Sequence, residues 1–156
     1  MPDRNITTYE RKTVLTAIEA AVGTPIFQHF YVRNESKGQD IDATKGGQSS
    51  CAFFVSSMLA MFDYIDRSHT VVDTTVTKML EHGWVQVDAP TPGSVVHWPE
   101  QNGHKHIGFY LGGDRYISSS ESQNTPQIHP AKMDDGRTPD AYYSHPKLAK
   151  DITESL

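Results

Sequence analysis

The sequence has only one cysteine, Cys51, among its 156 residues. No disulfide can form within the chain, and the usual cysteine-based zinc sites are excluded. The fold must therefore depend on an apolar core, which a chain of this length can bury without cross-links. The length is also typical of a single domain, so residues 1–156 are interpreted as one domain.

Long apolar runs and an excess of positive charge are also missing. No stretch approaches the roughly 20 apolar residues of a membrane-spanning helix, so no membrane span is predicted. The net charge of −5 excludes the broad basic surface that nucleic acid requires. The N-terminal segment has no apolar signal core. The expected location is therefore cytoplasmic, or secreted or periplasmic if a leader has been removed.

Hydrophobic periodicity divides the chain into a helical part, about 7–83, and a strand-rich part, about 84–145. Apolar residues first recur at helical spacing, and the period then changes to two, with turn residues between short segments. The polar stretch 33–50 is predicted to be a loop. The predicted strands are 84–87, 94–98, 106–111, 115–119, 127–129 and 141–144. Helices followed by strands predict an α+β fold with an antiparallel sheet.

Cys51 stands at the predicted start of the second helix, before an apolar stripe that includes Phe54, Val55 and Met58. Free backbone N–H groups and the helix dipole stabilise a thiolate at this position. The pattern therefore predicts a lowered thiol pKa and a nucleophilic cysteine. The alternative is an inert core cysteine, since free cysteines are among the most buried residues.

His106 lies on a predicted strand whose alternation puts Ile107 and Phe109 on the core face and His106 with Gly108 on the other. A glycine in a strand indicates close approach by another backbone. If the Cys51 helix packs there, the thiol and the imidazole come together. The alternative is a surface histidine, one of eight in the chain.

Three motifs carry a family resemblance: SCAFFV at 50–55, PGSVV at 92–96 and HIGFYLG at 106–112. Together they resemble the NlpC-type (NlpC and p-sixty) papain-like cysteine peptidases and the related CHAP amidases of bacterial cell walls, over about residues 48–120. The histidine motif is the most specific. Ser50 and Ser94 stand where the family usually has aspartate, and Ala52-Phe53 is nearer the CHAP style.

The resemblance implies a papain-like fold in which the Cys51 helix packs on an antiparallel sheet that carries His106. It also implies a Cys–His dyad that hydrolyses amide bonds of peptidoglycan stem peptides through an acyl-thioester. Two alternatives stay open. One is a papain-like thiol hydrolase or acyltransferase with another substrate, and the other is a binding module of the same fold with weak or lost catalysis.

Hairpin parity indicates where a polar third residue would lie. If Phe109 pairs with Ile117 across the three-residue loop 112–114, Ser118 and Ser120 share the face of His106. The third residue of the family aligns with Ser118, whose hydroxyl can accept a hydrogen bond from the imidazole. His129 on the following strand is the alternative, although a surface position is preferred for it.

Four residues are candidates for substrate or oxyanion contacts: Tyr31, Gln48, Ser50 and Ser120. Related enzymes carry a tyrosine upstream of the cysteine, and Gln48 lies where a papain-like glutamine would donate to an oxyanion. A core or surface tyrosine and a solvated glutamine are the alternatives. The backbone N–H of Cys51 is the first oxyanion donor.

No metal or other cofactor is expected. His97, His104 and His106 do not have the spacing of a zinc site, and no acidic cluster accompanies them.

Overall fold

A computed structural model describes residues 5–150 and 152–155 of the chain. Within these residues the fold is mixed α+β, with three α-helices and an antiparallel six-stranded sheet. The helices are α1 (Glu10–Ala20), α2 (Cys51–Met61) and α3 (Val72–Glu81). None of the helices in the described ranges has both the length and the hydrophobicity to cross a bilayer.

The strands fall into one main sheet and two separate pairs. Their bounds are β1 (Asn5–Thr8), β2 (Tyr31–Asn34), β3 (Gln39–Asp42), β4 (Val85–Val87), β5 (Val95–Gln101), β6 (His104–Gly112), β7 (Arg115–Ser119), β8 (Pro126–His129), β9 (Ala141–Ser144) and β10 (Ile152–Ser155). The main sheet has the order β4-β9-β5-β6-β7-β8. Strands β5 to β8 are therefore neighbours in chain order, whereas β9 inserts between β4 and β5.

The predicted hairpin register is confirmed at its centre, where Phe109 pairs with Ile117. The predicted three-residue loop is wrong, because Gly112 itself pairs with Arg115 and the register shifts between Tyr110 and Gly112. Gly112 has a φ of 111°, a conformation that side chains rarely adopt, so glycine permits this irregularity.

Helix α2 packs on one face of the main sheet. Phe54 of α2 meets Phe109 of β6 edge to face, with ring centroids 5.6 Å apart. Ile107, Phe109 and Ile117 are fully buried in the same core. The opposite face of the sheet has its own apolar cluster, around Val96, Trp98 and Tyr116. The strand alternation that the sequence predicts therefore separates two faces, both of which are covered.

Two features of the predicted helical part need correction. The hairpin of β2 and β3 extends well into the stretch predicted to be a loop, and β1 occupies the region where the helical part was expected to begin. Strands β2 and β3 are mostly exposed, so no alternating apolar pattern marks them. Strand β1 pairs with β10 at the far end of the chain, and no local sequence signal predicts such a pairing.

Candidate active site

A cavity of about 890 Å³ lies beside the start of α2 and strands β6 to β8. Cys51, His106, Ser118 and His129 all line it. The three strands are adjacent in the sheet, so their side chains on one face are brought together by strand pairing alone. The structure thus gathers the predicted dyad, the predicted third residue and its alternative in one place.

Cys51 is the first residue of α2 and is partly exposed. The backbone N–H groups of Ile107 and Ala52 lie near enough to its thiol to lower the pKa of that thiol. Ile107 follows His106 directly, so strand β6 meets the start of α2 at this point. The structure therefore brings the cysteine helix and the histidine strand together, as the sequence predicts.

The expected lowering of the Cys51 pKa is wrong for the resting protein. Burial raises the pKa of the thiol above its ordinary value. The backbone N–H groups of Ile107 and Ala52, with the charge of Arg137, lower the pKa and offset only part of this effect. The helix start does stabilise a thiolate, but desolvation outweighs that stabilisation. The thiol is therefore protonated at neutral pH.

His106 is neutral in the same environment. Burial is the largest cause that lowers its pKa, to about 3, and repulsion from Arg137, and from His129 when that ring is protonated, acts in the same direction. The ring packs against Trp98 with centroids 5.4 Å apart. A neutral imidazole has a lone pair with which to accept a proton, and a general base needs that lone pair.

Ser118 links two histidines. Its Oγ lies 2.8 Å from Nε2 of His106 and 2.6 Å from Nε2 of His129. Ser118 is 3% exposed, so this hydroxyl is held away from solvent. The prediction that His129 lies at the surface is therefore wrong. Its side chain is partly buried and contacts Ser118, because β7 and β8 pair with each other.

The close contact of β6 with β7 has a local cause. A Cβ at Gly108 would lie 2.8 Å from the Cβ of Ser118, nearer than real side chains come. Glycine at this position does mark a close approach by another backbone, as the sequence indicates. The backbone in question belongs to β7, however, and not to the cysteine helix.

Gln48 and Ser120, two of the four candidates for substrate contacts, line the cavity. Gln48 precedes α2 by a short turn, which puts its side chain on the same side as the thiol. Ser120 follows β7, and its Oγ lies 3.2 Å from the Oγ of Ser122 and accepts from the backbone N–H of Gln123 at 3.2 Å. Ser120 therefore shapes the loop after β7 as well as facing the cavity.

Ser50 and Tyr31 are not among the described residues that line the cavity, and both predictions need correction. Ser50 is 2% exposed and its hydroxyl donates to the carbonyl of Phe27. It therefore stabilises the buried contact between the start of α2 and residue 27. Tyr31 is 69% exposed on β2, where its ring stacks on His29 at 5.9 Å. The unpredicted hairpin of β2 and β3 is the reason that Tyr31 lies elsewhere.

Arg137 is a cavity residue that sequence reasoning missed. Its Nη1 donates to the carbonyls of Pro99 and His104, at 3.0 and 2.9 Å. Its Nε and Nη2 contact Asp135 at 2.9 and 2.8 Å, and the arginine side chain is 11% exposed. This arginine fastens the connection between β8 and β9 onto the β5–β6 hairpin. These contacts are polar, and those to Pro99 and His104 join segments far apart in sequence. A pattern of apolar residues therefore cannot predict them.

Ser119 is a second unpredicted feature of the cavity wall. Its Oγ is buried and has no hydrogen-bond partner among the described residues, although it faces the cavity. Among the described residues, no group of three or more histidine, cysteine, aspartate or glutamate side chains is placed to hold a metal ion. His97, one of the three histidines whose spacing was compared with a zinc site, has its Nδ1 2.6 Å from Oδ1 of Asp140.

No model of a protein family matches the chain, and no curated protein matches it. The resemblance to NlpC-type and CHAP hydrolases therefore rests on the three motifs and is carried forward only as a proposal.

Proposed function

We propose that this protein is a cysteine hydrolase of amide bonds, with Cys51 as the nucleophile and His106 as the general base. The observation that carries the proposal is the meeting of Cys51, a neutral His106 and Ser118 in one open cavity. We further propose that the arrangement is papain-like, since a helix that begins with the nucleophile packs on an antiparallel sheet that carries the base.

The reaction begins with transfer of the thiol proton of Cys51 to His106 as Sγ bonds to the substrate carbonyl carbon. Because the resting thiol and imidazole are both neutral, this proton moves during the attack and not before it. The imidazolium then protonates the leaving amine, the C–N bond breaks and a thioester remains. Water that is deprotonated by His106 cleaves the thioester, which yields a carboxylic acid and the free thiol.

Stabilisation of the oxyanion is assigned to groups at the start of α2. The backbone N–H of Cys51 is the first donor, because the first N–H groups of a helix have no partner within it. The side chain of Gln48 is the second candidate, since it lines the same cavity. Ser118 is assigned a different role: its hydroxyl fixes the imidazole of His106 through Nε2.

The proposed substrate is a peptidoglycan stem peptide. This assignment rests on the motif resemblance, and two properties of the cavity are consistent with it. Its volume of about 890 Å³ falls within the range of clefts that hold small ligands. Its rim carries charges of both signs, which suits a short peptide with free amines and carboxylates: Asp73, Glu100, Lys105, Glu121 and Lys132.

The test is incubation of the purified protein with isolated sacculi and with defined stem peptides, followed by mass analysis of products. A new amine on the diamino acid indicates endopeptidase action, and a free muramic carboxylate indicates amidase action. Cys51→Ala and His106→Ala should each abolish product formation, whereas His82→Ala, at the exposed end of α3, should not.

Two outcomes would replace the proposal. If no product forms but iodoacetamide alkylates Cys51 in a His106-dependent way, the protein is a thiol hydrolase or acyltransferase with another substrate. If neither product nor His106-dependent alkylation is found, the protein is a binding module that shares the arrangement.

A further inference from the structure

We propose that His129 is a positioning residue of this site, which selects the reactive tautomer of His106 through the hydroxyl of Ser118. The inference rests on the proposed function, because it assigns His129 a task in preparing the general base. The observation behind it is an unbroken series of hydrogen bonds from Pro130 to His106.

The direction of each bond in this series follows from the first one. The carbonyl oxygen of Pro130 only accepts, and it lies 2.7 Å from Nδ1 of His129, so Nδ1 carries a proton. In a neutral His129 the other nitrogen, Nε2, is then an acceptor. Ser118 lies 2.6 Å from Nε2 and must donate its hydroxyl proton to it.

The second half of the series fixes His106. A serine hydroxyl has one proton, and that of Ser118 is already directed to His129. In the 2.8 Å hydrogen bond between the two residues, Nε2 of His106 must then be the donor and Oγ of Ser118 the acceptor. His106 therefore carries its proton on Nε2, and its Nδ1 has the free lone pair. Nδ1 is the nitrogen that does not face Ser118, so it is the one available to take the thiol proton.

A serine that orients a catalytic imidazole needs an acceptor such as His129 for its own proton, whereas a carboxylate does not. A carboxylate only accepts, so it always selects the tautomer that donates to it. A serine hydroxyl can donate as well as accept. Without His129 the Ser118 proton could turn towards His106, which would move the imidazole proton to Nδ1 and leave no basic lone pair on the nitrogen that does not face Ser118.

The rings of both histidines are held by the same aromatic residue. Trp98 lies 5.4 Å from His106 and 5.5 Å from His129, measured between ring centroids. Tyr116, the strand partner of His129, stacks on it at 6.5 Å. This packing limits rotation of the His129 ring, so its acceptor nitrogen stays aimed at Ser118.

The first test reads the tautomer directly by long-range ¹⁵N–¹H correlation spectra of histidine-labelled protein at neutral pH. We expect the wild-type His106 to be protonated on Nε2. His129→Phe should convert part or all of it to the Nδ1-protonated form. His82→Phe is the matched control and should leave the His106 signals unchanged. An unaltered tautomer in His129→Phe overturns the proposal.

The second test measures alkylation of Cys51 by iodoacetamide, which needs no wall substrate. His129→Phe should slow alkylation at neutral pH by about tenfold, a part of the ~10²–10⁴-fold that a general base contributes. His129→Gln should retain most of the rate, since its side-chain oxygen can accept from Ser118. In a Ser118→Ala background, His129→Phe should have no further effect, because its action passes through Ser118. Fully additive losses would overturn the proposal.

A third variant covers the case in which His129→Phe fails to fold. Ser118→Asp supplies an ionised acceptor that cannot donate, so in that background His129→Leu, which has no acceptor, should leave the His106 tautomer unchanged. A tautomer that still depends on residue 129 contradicts the relay. If sacculi are not cleaved but these spectra and rates behave as expected, only the wall substrate fails and the positioning role stands.

Discussion

The Cβ that Gly108 lacks would lie 2.5 Å from the carbonyl oxygen of Ile117 on the neighbouring strand. No side chain fits at this distance, so β6 and β7 approach closely only because residue 108 is glycine. The same approach brings His106, two residues earlier on β6, within 2.8 Å of Ser118. A backbone contact thus determines a side-chain contact in the candidate active site.

Gly108→Ala should therefore weaken both the fold and the site. The added methyl group would force β6 and β7 apart, and overpacking of this kind costs about 1–3 kcal/mol of unfolding free energy. Urea denaturation measures this loss, and alkylation of Cys51 should slow in parallel. Gly113→Asn is the control, because Gly113 has open space around it and a φ of 59° that asparagine tolerates. Equal stability of Gly108→Ala and wild type would contradict the close approach.

His106 should make the fold sensitive to acid. Burial holds its pKa at about 3, whereas an unfolded histidine titrates near 6.5. Between these values the unfolded chain binds a proton that the folded chain does not, so stability falls as the pH drops from about 6.5 towards 3. His106→Phe removes this contribution, and its unfolding free energy should fall less between pH 7.5 and pH 4.5, as measured by denaturant titration.

The control for this experiment is His82→Phe, which should lose as much stability as the wild type over the same interval. An equal loss in His106→Phe would mean that the pKa of His106 in the folded protein is the same as in the unfolded chain.

Arg137→Gln should loosen the cavity wall and change the thiol. The substitution removes the donor from the carbonyls of Pro99 and His104, whose hydrogen bonds are part-buried and exposed respectively, so the unfolding free energy should fall by about 0.5–1.5 kcal/mol. It also removes a positive charge that lowers the pKa of Cys51, so the thiol pKa should rise further. Thermal unfolding and the pH dependence of alkylation measure the two effects. Arg67→Gln, at an exposed position, should change neither, and an unchanged thiol pKa in Arg137→Gln would refute the electrostatic role.

Ser118 and Ser119 are neighbours on β7 and should respond oppositely to alanine. Ser118→Ala removes the hydroxyl that holds His106, so hydrolysis and alkylation should both fall. The Ser119 hydroxyl has no partner among the described residues, so Ser119→Ala should leave the unfolding free energy within about 0.5 kcal/mol of wild type, or raise it. Calorimetry on the two variants makes the comparison. A loss above about 2 kcal/mol in Ser119→Ala would reveal a hydrogen bond that this arrangement does not include.

Elements that depend on local pattern were predictable from the amino-acid sequence. The main-sheet strands predicted at 115–119 and 141–144 match β7 and β9, because alternation and flanking turn residues are properties of short segments. The start of α2 at Cys51 and the pairing of Phe109 with Ile117 were likewise predictable. From these, strand parity put Ser118 and Ser120 on the face of His106, and the family resemblance selected Ser118, which does contact His106.

Features that depend on distant segments and on burial were visible only in the folded protein. It pairs β1 with β10, inserts β9 between β4 and β5, and brings Arg137 and His129 to the cavity. It also reversed the expected pKa of Cys51, because the helix-start effect is local whereas desolvation depends on every segment packed around the thiol. Contacts between segments far apart in sequence leave no periodic trace in either one, so neither the relay through His129 nor the neutral resting state could be predicted from the chain alone.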